Sequence, residues 1–175
     1  MHPHHFHRFI IRPTLKYLHP LIPYSRAAEI LLLGTALHES ANLKYWKQGH
    51  RILTDGNGVA RGPYGIEPAT LNDVYNNFLF FRPTLKSRVA EFSADLPSHE
   101  DQLITNTAYA TIIARLIYWR WPDPMPASTD LPGLARFHER RFNSIHGAIG
   151  KTTELEALYC FEGASAIVLD AGDSD

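Results

Sequence analysis

From Ser25 to Glu39 the chain reads Ser-Arg-Ala-Ala-Glu-Ile-Leu-Leu-Leu-Gly-Thr-Ala-Leu-His-Glu. A helix drawn through it is apolar on most sides, so it must be buried inside a layer of other elements. Ser25 is a residue type that caps a helix start, and Glu29 in the first turn suits the positive end of the helix dipole. The segment therefore predicts a buried central helix ending near Glu39. Its longest apolar run, Ile30 to Leu33, falls far short of the ~18 residues of a membrane span, and no span is expected. The chain's 175 residues are enough to build the surrounding shell as one domain.

The shell is legible as further helices. Residues 6–18 are apolar and aromatic at mixed spacing, interrupted by Pro13, with Pro20 and Pro23 marking a bend. Pro68 opens a helix over 69–79, and a further one is expected over 83–92. Ser98 and Asp101 resemble a capping box with Asp in place of Glu. They lead into one long helix through Leu103, Ile104, Ala108, Ile112, Ile113, Leu116, Ile117 and Trp119, stopped by the proline-rich stretch Trp121 to Pro126. Residues 131–142 and 153–161 give two last helices. Between them and the central helix, residues 42–65 carry Gly49, Gly56, Gly58, Gly62 and Gly65, with Asp55-Gly56-Asn57-Gly58 as a turn signal. This is a long loop or a small hairpin, the one place where strand is expected, and loops of such length are often functional. The expected organisation is an N-terminal segment over 1–24, a domain over 25–168, and a fraying acidic tail over 169–175.

The formal net charge of -1 gives no basic surplus for coating nucleic acid, so no nucleic-acid partner is expected. The lone Cys160 forms no intramolecular disulfide and, flanked by Leu158, Tyr159 and Phe161, reads as a small buried hydrophobe. His2, His4, His5 and His7 crowd the N-terminus without helical ligand spacing and read as a mobile polar end, so neither metal nor cofactor is expected. The N-terminus lacks the pattern of a secretory signal, which points to synthesis in a cytoplasm.

Glu39 is the residue with chemistry in it. It closes a strongly apolar helix and precedes the glycine-rich loop. Apolar surroundings disfavour the charged carboxylate and raise its pKa, and a carboxyl still protonated near neutrality can donate to a glycosidic oxygen. A solvated helix-end glutamate fits the same position. His38, adjacent in sequence, is expected to point away from it.

Two blocks surround this residue. Ala36-Leu37-His38-Glu39-Ser40-Ala41-Asn42 is followed by Gly58-Val59-Ala60-Arg61-Gly62-Pro63-Tyr64-Gly65-Ile66-Glu67-Pro68-Ala69-Thr70. In order and spacing they resemble the signature blocks of the lytic transglycosylases: a helix ending in Glu-Ser, then a Gly-Ala-Arg-Gly segment running into Pro-Ala-Thr. The resemblance covers residues 28–79. More loosely, the chain is similar to proteins of tailed bacteriophages through Ile11-Arg12-Pro13-Thr14-Leu15, His38-Glu39-Ser40, Ile66 to Thr70 and Tyr118 to Pro126.

The resemblance implies a mostly α, lysozyme-like α+β fold of six or seven helices. It also implies cleavage of the bond between N-acetylmuramic acid and N-acetylglucosamine, with Glu39 as the single acid/base. Glycan strands of peptidoglycan would be the substrate and other virion or tail proteins the partners. The protein would be made in a bacterial cytoplasm, belong to a phage virion and act at the periplasmic wall. Ser40 would orient Glu39; Gly62 and its neighbours would bring backbone close to the sugar. Tyr45, Trp46 and Tyr64 would offer flat faces to sugar rings, while Phe137, Phe142, Trp119 and Trp121 belong to the core or its edge. Glu67, at a helix start, is either a capping carboxylate or a second carboxylate that would permit hydrolysis.

Two positions depart from the family pattern. Gly65 stands where a substrate-contacting Gln is usual. Arg141-Phe142-Asn143 stands where Ala-Tyr-Asn is usual, and phenylalanine has no hydroxyl to donate. These departures leave open a second expectation, a catalytically decayed lysozyme-like structural protein of the virion or tail. Carbohydrate binding without catalysis is a third.

Overall fold

The computed structural model describes residues 1–44, 60–142 and 154–172. The described chain is mostly helical and has no named strand. Helix α1 (Pro3–Phe6), a π turn (His7–Ile11) and α2 (Arg12–Leu18) form one continuous N-terminal helical stretch. The π turn ends at Ile11, two residues before Pro13, which has no N–H to give. Pro13 is absorbed near the start of α2, and the expected interruption becomes a change of winding. Far from being a mobile end, this stretch buries Phe6, His7, Ile11, Leu15 and Leu18.

Helix α3 (Arg26–Glu39) is the expected central helix, with the Ser25 side chain accepting from Ala28 N–H. Every residue from Ala27 to Leu37 is buried. The N-terminal helices, α7 and α8 pack on it, and α9 runs alongside. Gly34 permits that approach: a Cβ there would lie 2.8 Å from the Phe161 ring of α9.

Helix α4 (Pro68–Asp73) continues through a π turn (Val74–Phe78) and a 3-10 turn (Leu79–Phe81). Then follow α5 (Pro83–Ala90), α6 (His99–Thr105), α7 (Thr107–Trp119), α8 (Leu131–Arg141) and α9 (Glu154–Asp170). Residues 98–119 do not form the single helix expected. Asn106 divides them, its side-chain oxygen capping Tyr109 N–H while its amide donates to Phe92 O at 2.6 Å. With this break and the N-terminal turns, the described chain has more helical segments than six or seven. Helix α9 extends well past the expected 161, and the chain end is held as far as Gly172, whose carbonyl accepts from Arg12 at 3.1 Å. Among the described residues no helix is long and apolar enough to cross a membrane.

Candidate functional site

The site is built around the end of α3. There the helix stops in a left-handed turn of three successive non-glycine residues: Ala41, Asn42 and Leu43 have φ of 48°, 62° and 62°. Such a conformation costs an L-residue roughly 1–2 kcal/mol. Ser40 holds the turn. Its buried hydroxyl donates to Ala36 O and accepts from Leu43 N–H at 2.9 Å. Both bonds run to backbone, so Ser40 shapes the chain beneath Glu39 and does not orient the carboxyl, contrary to its expected role.

Two imidazoles orient Glu39 instead. Its Oε1 lies 3.1 Å from His38 Nδ1 and 3.2 Å from His138 Nε2, and those two nitrogens are 3.1 Å apart. His38 therefore does not point away, because the side chains of these last two helical residues converge on His138. Sequence reasoning missed His138 altogether. It lies on α8, whose charged neighbours Arg136, Glu139, Arg140 and Arg141 read as a solvated face, yet its side chain is fully buried.

The hydrogen-bond directions behind His138 are fixed by elimination. Leu31 O can only accept, so Thr35 gives its hydroxyl proton there, at 2.7 Å. Thr35 Oγ1 then accepts from Tyr118 O–H at 2.7 Å, and Tyr118 in turn accepts from His138 Nδ1–H at 2.8 Å. Burial holds the Tyr118 phenol well above its ordinary pKa, so it remains a neutral hydroxyl. With Nδ1 carrying a proton, His138 Nε2 faces a carboxyl oxygen, and two lone pairs cannot share that contact. A proton shared among the carboxyl and the two imidazoles, such as one on His38 Nδ1 at 3.1 Å from both atoms, or a metal ion relieves that contact.

Burial alone would raise the Glu39 carboxyl. Hydrogen bonds from His138 and His38 outweigh it and bring the pKa down to about 2. The expectation of a raised pKa is thus overturned by the two imidazoles: near neutrality Glu39 is a carboxylate. One His nitrogen from each ring and a carboxylate oxygen, all within 4.8 Å of one another, are also the donor types that hold zinc and similar ions.

The other carboxylate oxygen is differently placed. Glu39 is one-fifth exposed, and among the described residues no hydrogen bond reaches Oε2. It faces Gly65, where a Cβ would lie 3.2 Å from it. Gly65 belongs to a minimal hairpin closed by Arg61 and Ile66, each N–H meeting the other's carbonyl at 3.0 Å. Gly62 and Gly65 take φ of 72° and 59° within it. This isolated bridge is the only strand-like pairing among the described residues.

The remaining expected site residues divide. Gly62 does not open toward a ligand: a Cβ there would meet Leu103 O at 1.9 Å, so the glycine docks the hairpin on α6. Arg61 secures the same contact through Asp101 at 3.0 Å and Glu100 at 3.4 Å. Tyr64 is fully buried, its hydroxyl meeting Thr111 Oγ1 at 3.0 Å, and offers no face to a sugar. Glu67 takes the N-cap position of α4 with no side-chain capping bond. Tyr45, Trp46 and Asn143 lie outside the described residues. Phe137 and Phe142 are core, stacked on Tyr118, whereas Trp119 is 40% exposed. Cys160 is only partly buried.

The chain matches no family model, no curated protein and no solved structure.

Proposed function

We propose that the chain cleaves peptidoglycan glycan strands in the manner of a lytic transglycosylase, within a lysozyme-like fold and as a virion component of a tailed phage. On this reading it is made in the bacterial cytoplasm and acts at the periplasmic wall. The observation that supports the reading is the split environment of Glu39. One oxygen is fixed by two imidazoles, and the other, beside the glycine hairpin, has no hydrogen-bond partner among the described residues.

Glu39 rests ionised and has to gain a proton before it can act as the acid. A glycan laid over the site would remove water from a carboxylate that is now one-fifth exposed. Dehydration disfavours the carboxylate, so Glu39 takes up a proton from the solvent as the glycan settles. Glu39 then protonates the departing glycosidic oxygen. The muramyl C6 hydroxyl closes on C1 and returns its proton to the carboxylate. The substrate brings its own nucleophile, so no second carboxylate is needed, unlike the paired arrangement of most glycosidases.

A second reading, a lysozyme-like structural protein with a decayed cleft, is favoured by three residues. Glu39 is a base at rest, Gly65 brings no amide, and Phe142 is a buried ring without a hydroxyl.

Digestion of purified peptidoglycan by the wild type and by Glu39→Gln, with products identified by mass spectrometry, separates the two. Anhydro-muropeptides from the wild type alone are expected. Reducing-end products would mean hydrolysis and direct attention to Glu67. No product from folded protein, under conditions where a lysozyme works, would leave the structural reading.

A further inference from the structure

Tyr118 also lines a cavity of about 310 Å³, within the range of small-ligand sites. Its walls include the rings of Tyr118, Trp119, Trp121 and Phe137, with Met125. Arg115 of α7 also lines it, and Arg115 is only 3% exposed. Among the described residues this guanidinium meets no carboxylate. Among these residues its one hydrogen bond is a long one to Pro23 O at 3.4 Å, its Nε is buried and meets none of them as a partner, and it stacks over Trp119 at 5.3 Å. Burial lowers its pKa to about 10, which leaves it charged at neutral pH.

Trp121 presents a second orphan donor, a buried Nε1–H with no partner. Asp123 is the acid nearest to hand on the cavity wall, but Arg141 holds it. A buried cation with no counter-charge, beside an unused N–H, is a costly arrangement for a fold to keep without a ligand.

We propose that this cavity binds a carboxylate carried on a small apolar body. The guanidinium fork of Arg115 takes the carboxylate, the planar pairing that arginine makes best. Trp121 Nε1–H supplies a further bond, and Met125, Phe137 and the tryptophan rings enclose the apolar part. Both a free small acid and the C-terminal residue of a peptide have this chemistry. The site is separate from Glu39 and does not depend on the glycan-cleaving reading.

The test is titration of the full chain with 3-phenylpropionate, with N-acetyl-Ala-Ala, and with the C-terminal amide of each, by calorimetry and tryptophan fluorescence. Saturable binding of one acid and none of its amide is expected. A preference for phenylpropionate identifies a small-molecule acid, and a preference for the dipeptide a chain end. Arg115→Met should weaken binding at least ~30-fold, in line with loss of a charged bidentate contact. The same variant should raise the ligand-free Tm, because it removes an unpaired buried charge. Trp121→Phe should fold normally and weaken binding about fivefold. The proposal is overturned if folded wild type binds neither acid, if the amides bind as well, or if binding survives Arg115→Met. Should Arg115→Met fail to fold, unchanged affinity in Trp121→Phe overturns it.

Discussion

Helix α3 carries a glutamate near each end, and the two have been treated in opposite ways. Glu29 is fully buried and every lone pair is engaged. Its Oε1 accepts from Arg12 Nε at 2.9 Å and Tyr24 O–H at 2.7 Å; its Oε2 meets His7 at 3.1 Å and Arg12 at 3.3 Å. Glu39 also has imidazole partners, but they crowd one oxygen and leave the other toward Gly65. Both carboxyls lie at a pKa of about 2, so acidity does not tell them apart. The distribution of bonds does. A saturated carboxylate ties the N-terminal helices to the core, whereas a half-engaged one has an oxygen available for chemistry.

The strongest way to break this comparison is to remove each carboxylate. Glu29→Ala leaves Arg12 and His7 buried without their partner and should cost about 3–5 kcal/mol in urea unfolding. Glu39→Gln keeps the shape and a carbonyl acceptor but loses the charge facing two imidazoles, and should cost about 1–3 kcal/mol, less than Glu29→Ala, while abolishing the proposed glycan cleavage. Equal destabilisation by the two would end the distinction.

Acid supplies a second test. The folded pKa of Glu29 is about 2 against an ordinary 4.5, so its stabilising contribution is complete above pH 4.5 and disappears as the pH falls toward 2. That contribution is roughly 3 kcal/mol. Glu29→Gln should flatten the stability profile across this window. A profile as steep as that of the wild type would mean that Glu29 is not held ionised.

Tyr118→Phe sharpens the comparison at its other end. It removes the acceptor for His138 Nδ1–H, for an expected cost of about 1–2 kcal/mol. Imidazole nitrogen NMR should show Nδ1 of His138 protonated in the wild type. An unprotonated Nδ1 would mean that Tyr118 donates to His138 and Thr35 to Tyr118, leaving Leu31 O without the Thr35 hydroxyl proton. The smallest expected effect is at Ala41, where φ is 48°. Ala41→Gly should add up to about 1 kcal/mol of stability by relieving a left-handed alanine, measured by the urea midpoint.

What could be read in the chain and what could not follow a physical line. The start and end of α3 were legible because a serine cap and an all-round apolar face are local signals. Asn106 was passed over because the apolar pattern continues on both sides of it, although asparagine is a capping residue in its own right. The turns over 7–11 were hidden by Pro13, whose missing N–H is accommodated by a wider helical turn rather than by a break. Glu39 stood out by its place in the sequence. The reason it is ionised, His138, lies 99 residues further on, and only tertiary packing brings the two together. Gly62 and Tyr64 lie in one short sequence block, but their direction, into α6 and toward Thr111, is a property of the fold.

The hairpin glycine beside Glu39 also limits what mutation can do here. Gly65 has a left-handed backbone, and its missing side chain is what leaves clearance for the carboxylate. Installing the glutamine usual among lytic transglycosylases would put a Cβ in a strained conformation and press it against the very oxygen it should assist. A side chain placed at this position would strain the hairpin from Arg61 to Ile66 and crowd the carboxylate, so an amide serving Glu39 has to reach it from elsewhere in the chain.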